Sequence, residues 1–166
     1  MSHSQDQTTH LQNLGTGKMP TINGAPGLEQ LESFPNCYPD RDYIIQIAYP
    51  EFTSLCPVTG QPDFGTIIME YIPNDKCVES KSFKLYMFAY RNHQSFMETI
   101  TNNILDHMWE LLMPRWCRIK GIFAARGATH IHVFAERYLD MSIERKENIH
   151  NLVREWKQDS IHIKGK

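Results

Sequence analysis

A chain of 166 residues is long enough for one domain with a sizeable core. Its 17 basic and 19 acidic residues leave a net charge of −2, without the basic excess of a generic nucleic-acid binder, so tRNA is not expected as an immediate partner. No apolar run approaches the roughly 20 residues needed to cross a bilayer, the polar start MSHSQDQTTH lacks the regions of a secretory signal, and Cys37, Cys56, Cys77 and Cys117 form neither a CxxC pair nor a disulfide framework; a cytosolic protein with free thiols is expected.

Residues 1–40 are rich in Gln, Thr, Asn, Gly and Pro with scattered Leu, which predicts a flexible N-terminal arm. Within it Gly15-Thr16-Gly17-Lys18 lacks the spacing, the following hydroxyl and the preceding strand of a phosphate loop. Tyr43 to Tyr49 reads as a short strand stopped by Pro50, and Phe64 to Tyr71 as a second strand that pairs with it antiparallel across the Cys56 loop. Ser82 to Tyr90 predicts a helix. Ser95 to Met113 predicts another, with Phe96, Ile100, Ile104, Met108, Leu111 and Leu112 at helical spacing until Pro114. Trp116 to Ala124 and Thr129 to Arg137 read as strands around the turn-forming Ala125-Arg126-Gly127-Ala128. The predicted order is ββααββ over residues 41–139, an α+β domain. Met141 to Lys157 predicts an amphipathic helix within a C-terminal extension, 140–166, whose many charges point to a solvated face.

The chemistry concentrates in CPVTGQPD, Cys56 to Asp63, a cysteine in a Pro/Gly-rich turn with a carboxylic acid seven residues downstream. A thiol held as thiolate in a polar, partly exposed place is a nucleophile, and a nearby carboxyl can deliver a proton to the species it forms. Taken alone the pair is equally a small buried hydrophobe and a turn-closing acid.

A second segment decides between these. ESKSFKLY (Glu79 to Tyr86), YRNH (Tyr90 to His93) and Phe96-Met97-Glu98 follow CPVTGQPD in this order and at these distances. Together they closely resemble the single-module 7-cyano-7-deazaguanine reductases, NADPH-dependent nitrile reductases of queuosine biosynthesis, over about Tyr43 to Glu136. The resemblance implies a tunnelling fold: an antiparallel ββααββ sheet with helices on one face, assembling into homo-oligomeric rings with active sites between subunits.

It also implies site roles. Cys56 is the nucleophile that converts the nitrile into a thioimide, a C=N carbon that a nicotinamide can reduce. Asp63 is the proton donor, which requires burial or a negative neighbour to keep it protonated. Two hydrides are needed to reach the amine. Glu98 would accept the paired N–H donors of the deazaguanine edge; in local terms it is equally a first-turn acid favoured by the helix dipole. Val78, Glu79, Ser80 and Met97 would complete the substrate pocket, although Glu79 and Ser80 are also a plausible helix cap. Ser80, Lys81, Lys84, Arg126 and Gly127 match the cofactor positions, and no GxGxxG directs NADPH to a Rossmann surface. No metal is expected.

Two positions depart from the family. Met97 stands where a His usually precedes the Glu98 position, so either that His is not essential or its proton relay falls to another group such as His93. Ala128 replaces a second Gly in the turn after Arg126. Two rival chemistries belong to the same fold: a zinc-dependent GTP cyclohydrolase, for which His130-Ile131-His132 and Cys56 offer ligands, and an amidino transferase that forms the same thioimide and resolves it with ammonia.

Overall fold

The computed structural model describes residues 25–159; the first 24 residues of the expected arm, with Gly15-Thr16-Gly17-Lys18, and residues 160–166 lie outside it. A 3₁₀ turn, Leu28–Gln30, leads into β1 (Ser33–Pro35), followed by β2 (Ile45–Leu55), β3 (Pro62–Ile72), β4 (Lys76–Val78), α1 (Ser80–Ala89), a second 3₁₀ turn (Tyr90–Asn92), α2 (Met97–Leu112), β5 (Trp116–Phe123), β6 (His132–Tyr138) and α3 (Ile143–Asp159). The ββααββ unit is present. Its four long strands form one antiparallel sheet in the order β2-β3-β5-β6.

Alternation along the strands builds the core. Ile67, Met69 and Tyr71 of β3 and Cys117, Ile119 and Phe123 of β5 point to one face, where they meet Phe83 and Met87 of α1 and Ile100, Ile104 and Met108 of α2. The intervening residues point the other way, and α3 covers them: Ile149 and Val153 pack on Ile72 and Trp116. Thus α1 and α2 share one face as expected, while the third helix lies on the opposite face with an apolar stripe as well as a solvated side. Beneath α3 the 2 % exposed Glu70 and Arg118 are paired, as buried charges must be. Arg118 reaches Glu136 at 2.9 Å and Glu70 at 3.5 Å, and the Trp156 indole donates to Glu70 at 3.1 Å.

Several boundaries differ from the sequence expectation. β2 continues through Pro50 to Leu55, because β2 is an edge strand and its register with β3 shifts between Tyr49 and Phe52, where a residue without an N–H is tolerated. α1 begins two residues early, since Glu79 caps it with a carboxylate that accepts from the N–H groups of Lys81 and Ser82. α2 ends at Leu112 with Met113 in the left-handed region (φ 42°) before Pro114. The last part of the expected arm is in regular structure: β1 pairs antiparallel with β4, which the sequence reading did not contain. Among the described residues no helix is long and apolar enough to cross a membrane.

Candidate active site

The β2–β3 connection is a closed loop. The Cys56 N–H donates to the Gln61 carbonyl and the Gly60 N–H to the Cys56 carbonyl, both at 2.9 Å. Gly60, at φ +67°, takes a left-handed conformation that closes the turn at no steric cost. This closure folds Val58 and Thr59 back toward the sulfur. Cys56 itself is 4 % exposed. Its thiol is lowered to about 6, first by the Thr59 hydroxyl hydrogen bond, then by the backbone N–H groups of Thr59 and Val58; burial opposes this, by more than the hydrogen bond from Arg126 adds. Cys117, sealed in the core, is pushed up to about 12 by desolvation and remains a thiol.

Asp63 lies on β3 directly opposite Ser54 of β2, and is itself 5 % exposed. The link between nucleophile and acid is a third residue from the other end of the sheet. Ala124, just beyond β5, donates its N–H to the Phe64 carbonyl at 2.8 Å, which anchors the β5–β6 connection beside Asp63. From there Arg126 donates through Nη1 to Asp63 Oδ1 at 2.8 Å and through Nη2 to Cys56 Sγ at 3.4 Å. Arg126 and Thr129 exchange N–H···O bonds at 3.1 Å across Gly127 and Ala128, both at positive φ (57° and 63°). Ala128 is therefore strained where a glycine would not be, yet the tight turn forms without the second Gly.

A backbone splice brings in α2. The Leu55 N–H donates to the His93 carbonyl at 3.0 Å and the Ser95 N–H to the Leu55 carbonyl at 3.1 Å, so α2 starts next to the Cys56 loop. Glu98 projects exposed from its first turn, while Met97 is buried in the main core. Phe96, just before α2, and Val58, in the Cys56 loop, stand 57 % and 78 % exposed at this end of the sheet.

The remaining expected site residues are elsewhere. β3 runs away from Asp63, and β4 and the start of α1 lie at its far end. The ten-residue α1 spans about 15 Å, and it is its C-terminal end that comes near Phe52 of β2: Met87 and Phe88 line a cavity with Phe52, and Tyr90 beyond them has its ring centroid 5.5 Å from that of Phe52. Val78, Glu79, Ser80, Lys81 and Lys84 are thus grouped with one another but separated from Cys56, Asp63, Glu98, Arg126 and Gly127. The Val78 N–H donates to the Tyr71 hydroxyl at 3.2 Å. Glu79 accepts from the N–H of Lys81 at 2.8 Å and of Ser82 at 2.6 Å. With those N–H groups occupied, positive charge at this end comes from the lysine side chains rather than from the helix terminus.

Sequence reasoning missed Thr59 and the contact of Arg126 with the Cys56–Asp63 pair. Thr59 was visible, three residues after the cysteine within the quoted motif; its role depends on the loop closing through Gly60. Among the described residues no three His, Cys, Asp or Glu side chains converge as a metal set, and His130 and His132 have ring centroids 6.3 Å apart.

A four-stranded antiparallel sheet backed by α1 and α2, in the order β2-β3-β5-β6, defines a tunnelling-fold protein, with a lowered thiol, a carboxyl and a guanidinium gathered at one corner. The fold is shared with an archaeosine synthase QueF-like protein in its apo form, at TM-score 0.53 and 19 % identity, over 56 % of this chain and 91 % of that one. The QueF-like protein family model matches residues 62–141. The chain is 61 % identical to the NADPH-dependent 7-cyano-7-deazaguanine reductase of Desulfovibrio desulfuricans across 95 % of both chains. It is 58 % identical to that of Nitratidesulfovibrio vulgaris (96 % of each), and 46 % identical to that of Neisseria gonorrhoeae, over 81 % of this chain and 85 % of the relative. The chain belongs to the 7-cyano-7-deazaguanine reductase family.

Proposed function

We propose that this protein reduces the nitrile of 7-cyano-7-deazaguanine to the aminomethyl group with NADPH, through a thioimide on Cys56, in the cytosol and on the free base rather than on tRNA. The observation that carries the reading is the lowered Cys56 thiol held beside Asp63 at one corner of the sheet. A nitrile carbon is a poor hydride acceptor. Addition of the thiolate makes it a C=N carbon, and Asp63 protonates the nitrogen as sulfur adds. After the first reduction the adduct expels the thiolate, leaving an imine for the second.

Glu98, exposed one turn from the Cys56 loop, orients the base by accepting its paired N–H donors. Val78, Glu79 and Ser80 of a neighbouring copy supply the other wall of the pocket, because within one chain they lie at the opposite end of β3. Copies arranged in a ring satisfy this for every site. Met97, buried in the core, supports the pocket from behind without relaying a proton.

The residues at hand suit the cofactor. Gly127 sits at φ +57° with open space where a Cβ would be, so backbone can approach a ligand closely, and Arg126 lies beside it. Ser80, Lys81 and Lys84 of the neighbouring copy provide hydroxyl and ammonium groups for phosphate. NADPH bound there supplies the hydrides.

The test is loss of NADPH absorbance on adding 7-cyano-7-deazaguanine, with GTP as control. Two NADPH consumed per nitrile are expected, with none for GTP; a stoichiometry of zero, or turnover of GTP instead, refutes the reading.

A further inference from the structure

Resemblance assigns Arg126 to the cofactor, yet its guanidinium is engaged by the two groups to which the covalent step is assigned. Nη1 lies 2.8 Å from Asp63 Oδ1 and Nη2 lies 3.4 Å from Cys56 Sγ. The arginine side chain is 43 % exposed and the Asp63 side chain 4 %, so the cation reaches from the surface onto a buried acid. The pair is fixed by the strand register and the turn is fixed by the Ala124–Phe64 bond; this bridge is built into the fold.

Resting on the thioimide reading above, we propose that Arg126 is the counter-ion of the covalent step, serving the Cys56 thiolate before addition and the Asp63 carboxylate after it, independently of any role with NADPH. The chemistry balances without outside reagents. The step starts from the form in which Cys56 is the thiolate and Asp63 carries the one proton that the addition consumes. Sulfur then bonds to the nitrile carbon, one C–N π bond opens onto nitrogen, and Asp63 delivers the proton there, leaving a neutral thioimide and a carboxylate. One negative charge has moved from sulfur to carboxylate, and both ends of that path are within reach of the same guanidinium. A fixed cation spanning the start and end of a charge displacement stabilises the barrier between them without reorganising. The Arg126–Asp63 ion pair, at 2.8 Å, has the charge arrangement of the finished addition.

The groups facing Cys56 are few. Asp63 approaches from β3, Arg126 from the β5–β6 turn, and Thr59 and the Val58 N–H from its own loop. His93, on the segment bonded to Leu55, packs its ring on Tyr90 at 5.7 Å.

The deciding experiment omits NADPH, so that a role confined to cofactor binding moves nothing. Arg126→Ala, Arg126→Gln and Arg126→Lys are compared with the parent in two assays: the pH profile of Cys56 alkylation by iodoacetamide, and the rate of adduct formation with 7-cyano-7-deazaguanine followed by intact mass. For Ala and Gln we expect the alkylation midpoint to move upward and the adduct rate at pH 7 to fall at least tenfold, with Lys recovering part of both. Because Arg126 stands on a surface turn, all three variants should fold, and circular dichroism checks this. An Arg126→Ala adduct rate within twofold of the parent overturns the proposal, as does an unmoved alkylation midpoint. Absence of any adduct in the parent refutes the nitrile reading instead, and the alkylation profiles then decide by themselves whether Arg126 is the thiolate's partner.

Discussion

Replacing Thr59 by Val removes one hydroxyl from the Cys56 loop while keeping side-chain shape, and so isolates the largest contribution to the lowered thiol. With the midpoint at about 6, half of the Cys56 population is thiolate at pH 6 and nearly all of it at pH 7. The sign follows from the direction of the shift: reactivity is present above the lowered midpoint and is lost as pH falls through it. Losing a charge-assisted hydrogen bond raises the midpoint by about one pH unit or more. The thiolate fraction at pH 6 then drops from about one half to about one tenth, an alkylation rate about fivefold slower, with the two proteins converging above about pH 9. Iodoacetamide labelling from pH 4.5 to 9.5, with peptide mapping to separate Cys56 from Cys37, Cys77 and Cys117, measures this directly. Cys117, raised to about 12, serves as an internal silent control. Superimposable profiles for parent and Thr59→Val would show that the backbone N–H groups and Arg126 hold the thiolate without the hydroxyl. A parent profile rising only near pH 9 would refute the thiolate assignment itself.

Cys56→Ala and Glu79→Gln proteins should each be inactive alone, yet regain activity at about one quarter of sites when co-refolded as a mixture, by random pairing. A mixture no more active than its parts argues against a pocket shared between copies. Ile149→Ala, which hollows the contact of α3 with Ile72 and Trp116, should cost about 2 to 5 kcal/mol and lower the calorimetric Tm by several degrees. A change below about 1 kcal/mol would mean that α3 is only loosely docked.

The long elements were legible because burial imposes a period on them. Ile100, Ile104 and Met108 mark α2 by spacing, and β3 and β5 announce themselves through β-branched and aromatic runs. β1 and β4 were not legible, since three residues are too few for alternation to register, and their pairing depends on Ser33 meeting Val78 across 45 positions of chain. Pro50 misled for a physical reason: a strand-breaking residue is permitted on an edge at a register shift, and edge position is a property of the assembled sheet. Glu79 was read mainly for its part in a ligand pocket, while the structure also gives it the work of starting α1. Cys56 and Asp63 stand seven residues apart in one motif, and their proximity follows from the β2–β3 hairpin. Arg126 joins them from 63 positions beyond Asp63, which only the β3–β5 pairing reveals.

The fold divides the labour between two kinds of organisation. Everything needed to activate the sulfur (Thr59, the Val58 and Thr59 N–H groups, Asp63 and Arg126) converges within one chain, held by the Gly60 turn, the β2–β3 register and the Ala124–Phe64 bond. The groups assigned to recognising base and cofactor are split, with Glu98 and Gly127 at the same corner as Cys56 and the Val78 to Lys84 group beyond the far end of β3. On the function proposed above, a chain by itself carries the activated thiolate but only part of the specific pocket. Val58 in the Cys56 loop and Phe96 just before α2 are 78 % and 57 % exposed, apolar surface at this end of the sheet that burial against a second copy would stabilise. Association would then bring the recognition groups to a sulfur that each chain already holds buried and activated, so that specificity rather than nucleophile strength depends on the neighbouring copy.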